Sequence, residues 1–205
     1  MARAGVPAAC PRSGAPVLER FTPADCPGCW SEAQAAGPGK GWLVDWITPV
    51  GSEAEMSAAA PPESAERATR AGLIAATPPR AQALRAASPS IRGLSLRVQS
   101  GPAWNGYFGL QLDARGRVPA GATGWLALVE LLPAGTDGSA VARELVRTVA
   151  GPLSLQSMAD KRHVSHLGAL RWPETAQPSR LQARAWVESA DGRILAMAAD
   201  RCVAR

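Results

Sequence analysis

Apolar positions along the chain fall into two textures. From 15 to 48 they come in dense short runs. "APVLERFT" (15–22) has strand composition, and "GWLVDWIT" (41–48) is apolar almost throughout, the pattern of a strand buried on both faces. Between them "WSEAQAAG" (30–37) reads as a helix that Gly37-Pro38-Gly39 ends with a glycine cap and a breaker. Strand, helix and strand with a short crossover predict a βαβ unit with a parallel pair. Ser64–Ala76 reads as a second helix, with Pro61 and Pro62 just ahead of it, and 77–90 as a proline-punctuated connector.

Beyond residue 92 the period becomes two. "GLSLRVQ" (93–99) and "YFGLQLDA" (107–114) alternate, "GWLALVELLP" (124–133) is a longer buried strand, and "HVSHLGALRW" (163–172) a more polar one. "VARELVRTV" (141–149) fits helix or strand. "RLQARAWVES" and "RILAMAAD" flank Asp191-Gly192, a strong signal for a tight hairpin. Short strands punctuated by Gly and Pro describe an antiparallel sandwich. The expected fold class is therefore α+β, with a small α/β module over residues 1–90 followed by an antiparallel β-sandwich over 91–205.

Composition sharpens this picture. Hydrophobic residues at 46% and charged ones at 19%, with seven tryptophans spread along 205 residues, describe a packed globular chain. The net charge of +5 is carried almost wholly by arginine, with Lys40 and Lys161 the only lysines. The arginines occur singly, without a basic run or an aromatic-interleaved stripe, which argues against nucleic acid as a partner. No apolar stretch reaches the ~18 residues of a membrane span.

Four cysteines, at 10, 26, 29 and 202, permit three pairings. The local one joins Cys26 to Cys29 and leaves Cys10 for Cys202, a bond that would close almost the whole chain and persist only in an oxidising compartment. The alternative is two unpaired thiols near the termini. "MARAGVPAAC" lacks the apolar core of a secretion signal. Either the protein stays in the cytoplasm or a leader has been removed. The even cysteine count favours removal, and hence a periplasmic or secreted location.

The candidate chemistry is concentrated in "FTPADCPGCW" (21–30). A Cys-x-x-Cys pair at the start of a helix can carry out thiol–disulfide exchange, the helix N-terminus stabilising a thiolate at Cys26 and Cys29 resolving the mixed disulfide. Asp25, next to Cys26, opposes that thiolate. The pair can equally be an inert disulfide that fixes a loop. A third reading sets Cys26 and Cys29 with His163 and His166 as zinc ligands, but residues three apart on a strand point to opposite faces, so no metal is assigned. Asp45, an acid inside a buried strand, is the candidate proton relay beneath the pair; the plainer reading is an edge or loop acid. In "PAWNGY" (102–107), Trp104 is expected to pack a turn rather than face a ligand. "GPGKG" (37–41) lacks phosphate-loop spacing.

"VLERFTPADCPGC" followed by "WLVDWITP" resembles thioredoxin-like proteins. More closely, it is similar to a family of uncharacterised secreted proteobacterial proteins in which a strand ending Phe-Thr leads into paired cysteines and an all-β tail follows. The resemblance implies a truncated thioredoxin-like module in residues 1–90 and a cis-proline opposite the cysteines, for which Pro78 is the candidate. If the pair exchanges disulfides, protein thiols or disulfides are the expected partners, and no cofactor is expected. Trp30 departs from it, because thioredoxins place the tryptophan before the first cysteine. Two functions follow: thiol–disulfide exchange through Cys26 and Cys29, or a non-catalytic periplasmic binding or accessory module with a structural Cys26–Cys29 disulfide.

Overall fold

The computed structural model describes residues 10–32, 41–73, 83–87, 91, 93–156 and 162–202. Among these residues, ten strands and two short α-helices succeed one another as β1 (Val17–Pro23), α1 (Pro27–Ser31), β2 (Trp42–Thr48), α2 (Glu63–Arg70), β3 (Ala83–Ala87), β4 (Ser95–Trp104), β5 (Tyr107–Arg115), β6 (Thr123–Leu132), β7 (Arg143–Ser154), β8 (His163–Arg171), β9 (Leu181–Glu188) and β10 (Ile194–Ala199). Seven strands form one sheet in the order β10-β9-β6-β7-β2-β1-β3, and the other three form a second in the order β4-β5-β8. β1 and β2 run parallel in register, Phe21 beside Trp46, and β2 meets β7 in parallel at Asp45–Leu145.

This arrangement corrects the expected fold class. There is no thioredoxin-like module followed by a separate sandwich: the protein is mostly β, and β6, β7, β9 and β10 extend the very sheet that holds β1 and β2. Strands from both sides of residue 90, β1 to β3 and β6, β7, β9 and β10, share the large sheet. Of the helix expected at 30–37, Trp30 and Ser31 belong to the single turn α1 and Glu32 is extended; residues 33–40 lie outside the described ones. Of the ambiguous stretch 141–149, residues 143–149 belong to β7. The expected connector contains β3, antiparallel to β1.

Side-chain alternation sorts the core. One face of the large sheet sends Leu126, Leu128, Ala183 and Ala185 against Leu96, Leu110, Leu112 and Val164 of the small sheet. The opposite face carries Trp42, Trp46, Trp125 and Trp186, covered in part by Ala68 of α2 and by Ala71 and Leu73 just beyond it. Trp125 and Trp186 stack with centroids 6.0 Å apart, and Trp46 meets Trp186 edge-on at 6.1 Å, geometries that add to the area each ring buries. A third cluster, Ala24, Trp30, Ile47, Leu132 and Leu145, lies under α1.

The core is unusual in its charges. Arg20, Arg67, Arg143, Arg147 and Arg184 are all buried, and each pairs with a buried acid. Unpaired, any one would carry a desolvation cost of several kcal/mol. Arg67 reaches from α2 to Glu19 of β1 at 2.5 Å and Glu188 of β9 at 3.1 Å, and donates to the Gly192 carbonyl. Burial lowers its basicity, yet Glu19 and then Glu188 outweigh that and hold it above its ordinary value.

Candidate functional site

The residues around the cysteines are fixed from below. Cys26 caps α1: its sulfur accepts the Cys29 N–H at 3.3 Å, and Pro27, which has no N–H to orphan, occupies the first turn. Cys26 is bonded to Cys29 and Cys10 to Cys202. Both sulfurs of the first pair belong to buried residues, Cys26 at 9% exposure and Cys29 at 5%, between exposed Asp25, Pro27 and Gly28. Trp30 holds the turn in place. Its indole N–H donates to the Asp137 carbonyl at 2.7 Å, its carbonyl accepts from Arg143 at 2.7 Å, and the Arg143 guanidinium lies 4.7 Å above its ring.

Asp45 lies among Arg20, Arg143 and the β7 backbone. Oδ1 accepts from Arg20 Nε at 2.6 Å and Arg143 Nη1 at 3.3 Å, while Oδ2 accepts from Arg20 Nη2 at 2.8 Å and the Glu144 N–H at 2.7 Å. Burial, followed by repulsion from Arg20, holds Arg143 below its ordinary value, with Asp45 opposing both. A carboxylate gripped by two buried guanidiniums has no oxygen left to shuttle a proton. Asp45 is thus a structural hub linked through Arg143 to Trp30.

Pro78 lies outside the described residues. His163 and His166 stand on β8 of the small sheet, the first 3.6 Å from Asp113 and the second bonded to the Ser154 carbonyl, so neither joins the cysteines. No cluster of three potential metal ligands occurs among the described residues. Nor is any helix among them long and apolar enough to cross a membrane.

Beside α1 opens a cleft of about 590 Å³. Pro27, Gly28, Trp30 and Ser31 form one wall, Glu55, Met56, Ala58 and Ala59 another, and Asp137 and Gly138 the rim. Ile47, Leu132 and Leu145 supply an apolar floor, beside which lie Glu130 and Arg147. Neither cysteine lines it. Arg147 Nε sits 3.1 Å from Glu130 Oε2 without aligning for a hydrogen bond, and Nη2 donates to Thr175 Oγ1 at 2.8 Å. Glu130 also accepts the Gln177 N–H at 2.9 Å. Burial lowers the basicity of Arg147, with Glu130 and then Asp137 acting against it. Sequence reasoning missed Arg147, Glu130, Thr175 and Gln177, which come together only through strand pairing. The available signal was charge at mid-strand positions in "VELL" and "RELVR".

Fold and site together define a two-sheet, mostly β protein with a cleft walled by a disulfide-bonded turn. No family model matches the chain, and no curated protein is similar to it. Among solved structures it is similar to HBP35 of Porphyromonas gingivalis, with a TM-score of 0.58 and 9% identity over 93% of this chain and 76% of that one. At that identity the likeness is one of fold alone.

Proposed function

We propose that the chain is a non-catalytic, extracytoplasmic binding or accessory module in which the Cys26–Cys29 disulfide shapes the wall of the cleft. The observation that carries this reading is the lining: Pro27 and Gly28 face the cleft, and the sulfurs do not. An apolar floor beside a buried guanidinium suits a ligand with an apolar body and one acceptor group, such as a short-chain carboxylate or a peptide segment. The two disulfides support a periplasmic or secreted location. Ligand-observed NMR with hexanoate and hexanol tests the reading. Hexanoate should show saturation transfer that Ala59→Trp, which fills the cleft, abolishes, and hexanol should show less. Equal signals with and without the tryptophan would refute it.

The second reading is thiol–disulfide exchange, favoured by Cys26 lying between the exposed Asp25, Pro27 and Gly28. With the pair first reduced by a dithiol, the Cys26 thiolate would attack a partner disulfide and release one partner sulfur as thiolate. Cys29 would then attack Cys26, releasing the second partner sulfur and re-forming the Cys26–Cys29 disulfide. Dithiothreitol-driven insulin reduction by the wild type, lost in Cys26→Ser, would establish it. Hexanoate binding that persists in Cys26→Ser/Cys29→Ser separates the two readings.

A further inference from the structure

The outward face of the small sheet bears a built surface unrelated to the cleft. β4 and β5 meet at Asn105-Gly106, both with positive φ (52° and 83°), the pairing that a tight two-residue hairpin requires. The turn sets Trp104 directly across from Tyr107, and Tyr107 lies beside Arg171 of β8. Trp104 is 79% exposed and Tyr107 45%, so the expectation that Trp104 packs the turn is overturned. One row further along the same face are Gly109 and Ala169, and a Cβ placed on Gly109 would meet nothing within 4 Å. The row after that presents Gln99 and Gln111 beside Leu167. An upright aromatic pair, a bare shelf and then a row of amides extend over about 13 Å, four residues of strand.

Charge narrows the ligand. Arg97, Arg115 and Arg171 are exposed on these strands, and none has an ion-pair partner among the described residues. Asp113, the acid on this face, is already engaged with Gln111 and His163. The surface is therefore cationic, whereas the buried arginines are neutralised in pairs. Aromatic rings stack on the apolar faces of sugar rings, planar amides hydrogen-bond their hydroxyls, and guanidinium forks grip carboxylates. A bilayer would desolvate Gln99 and Gln111 without replacing their hydrogen bonds. A single-stranded nucleic acid is usually tracked by successive stacking platforms, whereas the aromatics here share one row.

We propose that the outer face of the β4–β5–β8 sheet, with Trp104, Tyr107 and Arg171 at its hairpin end, is a binding platform for an acidic, uronate-bearing glycan. The test is calorimetric titration of the full chain with oligogalacturonate, and in parallel with cellohexaose, oligo-dT and phosphatidylglycerol vesicles. Oligogalacturonate should bind, should weaken as salt is raised, and should bind about ten-fold more weakly to Trp104→Ala and to Arg171→Gln, with Trp104→Phe restoring most of the loss. Both side chains are exposed, so the variants should melt with the wild type. Equal affinity for cellohexaose, preference for oligo-dT or vesicles, no binding of oligogalacturonate, or an unchanged Trp104→Ala would each overturn the proposal.

Discussion

Replacing Asp45 with asparagine keeps the shape of the side chain and removes its charge. In the wild type that charge faces Arg20 and Arg143, which are 2% and 1% exposed, through bonds of 2.6, 2.8 and 3.3 Å. The amide leaves two buried guanidiniums facing a neutral group that has only one acceptor oxygen to offer. Breaking a buried pair costs about 3–5 kcal/mol. Arg20 retains the Ala142 carbonyl and Arg143 the Trp30 carbonyl, so unfolding rather than rearrangement is the expected relief. At ~2–4 °C per kcal/mol for a chain of this size, Asp45→Asn should lower Tm by about 6–20 °C. Urea unfolding followed by tryptophan fluorescence, with thermal circular dichroism alongside, measures it. An apolar triple replacement, Arg20→Met/Asp45→Leu/Arg143→Met, should recover much of the loss, because it removes all the charges together. A loss below about 1 kcal/mol for Asp45→Asn would refute the reasoning, since the carboxylate would not then be the ionised hub. Unchanged stability with altered alkylation of reduced Cys26 would restore Asp45 as a proton relay.

The two disulfides should differ in worth. Cys10→Ser/Cys202→Ser, spanning 192 residues, should cost about 5 kcal/mol on the loop-entropy relation, and Cys26→Ser/Cys29→Ser, spanning three, about 2 kcal/mol, both read by urea midpoints. Equal losses would mean the short bond braces native structure beyond its loop. Gly192→Ala should destabilise by at least ~2 kcal/mol, because φ is +79° and the new Cβ would fall 2.2 Å from the Arg70 carbonyl oxygen, backbone that cannot swing aside. A near-neutral result would mean α2 can slide off β9. Asp113 is held below its ordinary 3.8: slight burial pushes it up, but hydrogen bonds from Ser165, Gln111 and His163 outweigh this. Its folded value lies below the unfolded one, so its contribution to stability is present above the unfolded value and lost as pH falls through the folded one. Carboxyl NMR titration should show that low midpoint moving up towards 3.8 in His163→Ala, and an unmoved midpoint would remove His163 from the cause.

Strands were legible wherever one face meets solvent. β4 and β5 alternate cleanly because Leu96, Val98, Leu110 and Leu112 point inward and Arg97, Gln99 and Gln111 outward. Asp191-Gly192 announced the β9–β10 hairpin, and Gly192 takes the positive φ that turn requires. The cysteine spacing identified the turn but carried no information on which way the sulfurs face. The cleft is lined from residues 27–31, 47, 55–59, 130–138, 145–147 and 175–177, so no local window contains the site. "VARELVRTV" was ambiguous for a definite reason: Arg143, Glu144 and Arg147 read as solvated faces, and nothing local says that their partners are Asp45, Arg184 and Glu130.

Those pairs also tie strands from both expected units into the large sheet. Arg143 ties β7 to Asp45 of β2, Arg67 and Arg70 tie α2 to Glu188 of β9, and Arg184 of β9 donates to the Leu43 carbonyl of β2. Every one crosses residue 90. Two units packed independently would each have to bury an acid or a guanidinium without its partner, or leave it in water and forgo the packing around it. In a hydrophobic pattern such residues read as interruptions, and a boundary is inferred where the texture changes. In the folded chain these residues match the two textures to each other, because an unpaired buried guanidinium accepts few other partners. Specificity of this kind comes from the penalty on wrong pairings more than from the net strength of the right ones.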